Sequence, residues 1–84
     1  MLTLDEIAAI SRSVALEHGR ALQVVGVTAT DGGAGRAEVL VTIKGCHRDP
    51  CRFLINVSRA EGDAFEKAFR SELHKVLVAH GTQL

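Results

Sequence analysis

The chain has no tryptophan, no tyrosine and only three phenylalanines among its 84 residues. Single-stranded nucleic acid is gripped by exposed aromatic rings on which bases stack, so this scarcity argues against such a reader. Two of the three, Phe65 and Phe69, already fall on the apolar stripe of a helix. Charge of one sign is lacking too: 10 basic residues balance 10 acidic ones, which leaves no bulk attraction to nucleic acid or anionic lipid. No apolar run approaches the roughly 20 residues that cross a bilayer. The opening Met1-Leu2-Thr3-Leu4-Asp5-Glu6 carries neither the basic start nor the apolar stretch of a secretion signal. Two cysteines do not make a disulfide framework, so the expected setting is a reducing cytoplasm with both thiols free.

What is present fits one small domain spanning residues 1–84, with 46% apolar residues and no repeats or linkers. Thr3 and Glu6 have capping-box spacing, Leu2 and Ile7 occupy the staple positions, and Gly19 offers a stop; a helix is expected over 4–18. Its inward face is Leu4, Ile7, Ser11, Val14 and Ala15. Ala21 to Thr30 is rich in β-branched residues and reads as a strand. Asp31-Gly32-Gly33-Ala34-Gly35 reads as a flexible turn. Arg36 to Lys44 alternates, with Ala37, Val39, Val41 and Ile43 on one face; Phe53, Ile55 and Val57 alternate with Leu54, Asn56 and Ser58. Ser58 and Glu61 repeat the capping-box spacing before a second helix, which buries Phe65, Phe69, Leu73, Val76 and Leu77 and ends before Gly81.

The expected fold class is therefore α+β: a two-layer sandwich of α-β-β-β-α order, its three-stranded antiparallel meander covered on one face by two helices. Up-and-down connectivity would gather His18, His80 and the Cys46-His47-Arg48-Asp49-Pro50-Cys51 loop at one end. Cysteine and histidine are the ligands zinc prefers, and negative helix C-termini favour a cation. One reading is thus a zinc site of Cys46, Cys51, His18 and His80, with His47 as a substitute. The plainer reading makes the histidines dipole partners and the cysteines ordinary residues, with no cofactor. Odd parity prevents Cys46 and Cys51 from facing each other in a regular ladder, so a bridge would need loop geometry. The glycine-rich turn could cradle phosphate with Arg36 and Arg59, but it matches no phosphate-binding fingerprint, and acidic residues crowd the helix starts.

The order helix, three strands, helix is also that of double-stranded-RNA-binding domains. Those use a basic start to their second helix. Here that segment is Arg59-Ala60-Glu61-Gly62-Asp63, with one basic residue against two acidic ones. Order alone establishes no kinship, so weak nucleic-acid binding stands as a third reading and nucleic acid is not the expected partner. The expected role is a protein-interaction or regulatory binding module, forming a homodimer through Leu22, Val24, Leu40 and Leu54 on the uncovered sheet face, or through strand three as an edge. Lys67, Arg70, His74 and Lys75 read as a solvated outer face. No enzyme is expected; were there one, Cys46 or Cys51 with His47 would supply thiol and base.

Overall fold

The computed structural model describes residues 2–19, 21–45 and 50–79. The elements are α1 (Leu4–His18), β1 (Gln23–Gly33), β2 (Arg36–Lys44), β3 (Cys51–Ser58) and α2 (Gly62–Ala79). The sheet is antiparallel in the order β1-β2-β3. The α-β-β-β-α layout is the expected one.

α1 begins where its capping chemistry dictates. The Glu6 backbone N–H donates to Thr3 Oγ1 at 3.2 Å, and the Thr3 N–H donates to Glu6 Oε1 at 2.9 Å. Accepting from the Thr3 backbone, and then from its hydroxyl, holds the Glu6 carboxyl below its ordinary pKa. A lowered folded-state value makes this cap stabilising above the unfolded pKa; the contribution fades as pH falls through the folded one. Ser11 is buried among apolar neighbours and returns its hydroxyl to the Ile7 carbonyl at 2.8 Å, so the burial leaves no orphan donor.

β2 is the central strand, and Ala37, Val39, Val41 and Ile43 are fully buried along one side. Phe53, Ile55 and Val57 pair with Val41, Val39 and Ala37 on the same face. α1 packs on β1, α2 on β3, and the helices on each other. Phe65, Phe69, Leu73 and Leu77 bring α2 onto this core, while Val76 packs at its margin. Fully burying each large side chain contributes about 1.5–3 kcal/mol, so the layer contact, and not helix propensity, fixes α2.

Three local expectations fail. β1 starts at Gln23 and extends to Gly33, absorbing most of the supposed flexible turn. Asp31 Oδ1 accepts the Gly33 N–H at 2.8 Å and the register slips at Gly32, so side-chain capping and a bulge carry the strand through its glycines. α2 begins at Gly62, past Ser58, because Ser58 is held in the ladder opposite Arg36 and the Arg59 N–H donates to the Gly35 carbonyl at 2.8 Å. Ser58 therefore caps no helix. The third failure concerns the phase of β1. Val24 lies opposite Ile43 and Gly26 opposite Thr42, so Val25 is an inserted residue. The core-facing set switches from Leu22 and Val24 before the bulge to Val27 and Ala29 after it.

The β1–β2 connection is a two-residue turn in which Ala34 (φ 51) and Gly35 (φ 74) are both left-handed, with Gly33 opposite Arg36. That is the pattern of a type I′ hairpin, which asparagine tolerates and alanine resists by about 1–2 kcal/mol. Ala34→Asn is expected to raise stability by up to about 1 kcal/mol, a Tm gain of roughly 4–8 °C for a domain this size. Thermal unfolding followed by circular dichroism checks it; an unchanged or lower Tm means the turn strain is misread.

Candidate functional site

Two regions collect the candidate residues read from the sequence: the end where α1 and β2 terminate, and the sheet face that neither described helix covers. The first is built around a close backbone crossing. Gly45 leaves β2 at φ 89, and a side-chain carbon there would run into the carbonyl oxygen of Ala21 in the α1–β1 link. Only glycine has both the conformation and the space. Cys51 opens β3 opposite Ile43, one pair from that crossing. α1 ends beside it, with the Gly19 N–H capping the Ala15 carbonyl at 3.0 Å and the Leu22 N–H returning to the Gly19 carbonyl at 3.2 Å.

Of the expected zinc ligands, His18 is placed at this end, half-buried on the inward side of α1. Cys46, His47 and His80 lie outside the described residues. Cys51 is disulfide-bonded, which corrects the expectation that both thiols are free. Parity excluded a bridge inside the ladder but not beyond it, and β2 ends at Lys44 before any such bond forms. A sulfur held in a disulfide is no thiolate ligand, so Cys51 in this state cannot serve zinc. Among the described residues, no group of three or more His, Cys, Asp or Glu side chains converges.

Instead the fold brings His18 to His74. Nε2 of His18 and Nδ1 of His74 are 2.8 Å apart, and the ring centroids are 4.7 Å apart with the planes tilted by 50°. His74 was grouped with Lys67, Arg70 and Lys75 on the outer face. Its actual partner follows from its place beside Leu73 and one turn before Leu77, the two buried residues of that stretch. The outer charges form their own pairs: Arg70 with Glu66 at 2.9 Å and Lys75 with Glu72 at 3.2 Å. Exposed pairs of this kind contribute little to stability.

On the uncovered face, Leu40 lies opposite Leu54 on one side and Thr28 on the other. Leu54 is 59% exposed and Leu40 half-buried. Leu22 and Val24, expected here, are not: Leu22 is only 6% exposed in the core and Val24 packs against it, because the Val25 insertion reverses the phase of β1. The face is thus a leucine pair in a polar field of Gly26, Thr28, Thr42, Arg52 and Asn56. Arg36 bonds the Asn56 side chain through Nε and the Asn56 carbonyl at 3.1 Å, which commits it to the sheet and away from the glycine-rich turn.

The bulge turns Val25 outward. With 64% exposed Leu16 and 52% exposed Val25, the α1–β1 flank forms an apolar groove of about 410 Å³, floored by Leu22 and Val24 and bordered by Arg12 and Gln23. The alternation of β1 gave no sign of it, since the bulge is what creates it. No protein-family model, curated protein or solved structure matches the chain.

Proposed function

We propose that this chain is a small binding module that self-associates through the β3 edge, not a catalyst. The observation that carries this reading is the contrast between the two edges of the sheet. β1 is broken by register slips at Val25 and Gly32, whereas β3 pairs without interruption from Cys51 to Ser58. A regular edge strand is a template along which a further strand can align, and a bulged one is not. Antiparallel pairing of β3 with its symmetry mate, centred on Leu54, would join the Leu40–Leu54 pairs of both copies into one row across the twofold axis. In that register Arg52 meets uncharged Asn56 of the second copy, so no like charges oppose.

Leu54→Lys places two ammonium groups at the axis and removes the leucine contact. Because Leu54 is exposed, the monomer fold is expected to survive. Sedimentation velocity should show wild-type dimer and at least tenfold weaker association of the variant, about 1.4 kcal/mol. A wild type that sediments as a monomer at high concentration removes the proposal. None of the helices described is long and apolar enough to cross a membrane. Placement in the cytoplasm is a separate proposal resting on the sequence, and the disulfide at Cys51 counts against it, because such bonds persist mainly in oxidising compartments.

A further inference from the structure

We propose that His18 and His74 form a two-histidine site for a borderline transition-metal ion, of the class of zinc(II), nickel(II) or copper(II), that clamps the end of α1 to α2. The site is independent of the β3 edge and shares only His18 with the zinc set read from the sequence. The two nitrogens already point at each other across 2.8 Å. A hydrogen bond between imidazoles uses one N–H and one lone pair, so at least one ring is neutral and aimed at its neighbour. A metal ion takes the place of the shared proton, which passes through water to the far nitrogen of the donating ring, and is met by both lone pairs. Metal–nitrogen bonds of about 2.0–2.1 Å at a tetrahedral angle set the nitrogens about 3.3 Å apart. The opening needed is therefore roughly half an ångström, within the reach of a ring rotation at exposed His74.

His18 is the fixed member. It is half-buried, in line with Val14 and Ala15 on the core-facing side of α1, while His74 supplies the adjustment. The carbonyl end of α1 adds partial negative charge at the same place. The nearest cations on α2, Arg70 and Lys75, are turned to Glu66 and Glu72. Imidazole suits zinc, nickel and copper and offers nothing to magnesium or calcium, which require oxygen ligands. Water completes the coordination, so the site is open and of moderate affinity.

The test is titration of the oxidised chain, disulfide intact, with zinc chloride, nickel chloride and magnesium chloride, read by calorimetry and thermal unfolding. Zinc or nickel should bind saturably at one ion per chain and raise Tm; magnesium should do neither. His18→Ala and His74→Ala should each weaken binding at least tenfold with unchanged far-ultraviolet dichroism, whereas the His47→Ala/His80→Ala double variant should bind as wild type. The paramagnetic nickel ion should broaden the ring signals of His18 and His74 first in the proton NMR spectrum. Absence of saturable binding overturns the proposal. So does retention of wild-type affinity in both single variants, or loss of it in the double variant.

Discussion

Gly45→Ala is expected to be the most damaging glycine-to-alanine change among the described residues. The left-handed backbone (φ 89) alone penalises a side chain by about 1–2 kcal/mol. The added carbon also collides with the Ala21 carbonyl, a backbone atom that can yield only by separating the α1–β1 link from the end of β2. The sum should exceed about 4 kcal/mol, the range reserved for steric conflict in a packed site. Against a total stability of about 5–15 kcal/mol, and about 4–8 °C per kcal/mol, that is a Tm loss of roughly 20 °C or outright unfolding. Gly33→Ala separates the two effects. It is left-handed as well (φ 76), but nothing lies within 4 Å of the new carbon, so only the conformational part should appear. Equal losses in the two variants, by chemical unfolding, would refute the collision.

Phe69→Ala is the second large effect. The ring is fully buried at the centre of the α2–sheet contact, and truncation of such a side chain costs about 3–5 kcal/mol. Its nearly parallel neighbour Phe65, one turn earlier with centroids 6.1 Å apart, would lose a contact face as well. A double-mutant cycle of Phe65→Leu and Phe69→Leu should then give a coupling of about 0.5–1.5 kcal/mol. A loss below about 1 kcal/mol for Phe69→Ala would mean that α2 is not seated as described.

How far the sequence could be read is set by where local pattern and tertiary structure agree. The bounds of α1 and β2 were legible to the residue, because Thr3 and Glu6 satisfy each other and the alternation of β2 is uninterrupted. On the inward face of α1, however, Leu4 is 50% exposed and Ile10 is buried in its stead. β1 was not, because alternation transmits phase only until a residue is inserted, and Val25 carries no mark of insertion. That single residue puts Leu22 and Val24 in the core, whereas Leu40 and Leu54 face away from it. Ser58 and Glu61 had the right spacing for a cap, but spacing cannot show that the ladder already holds Ser58 opposite Arg36. The meeting of His18 with His74 was hidden for a related reason. A residue on the flank of a helical stripe looks outward-facing until the neighbouring helix is in place.

The unlike edges of the sheet bear on how large an assembly can grow. A protomer with two straight edges can stack head to tail, each copy presenting a fresh docking strand, and such growth runs on into fibres unless it closes into a ring. Here the slips at Val25 and Gly32 kink one border, so a copy joined through its straight border has nothing comparable left to offer. In the dimer proposed above, growth by strand addition would stop at the pair.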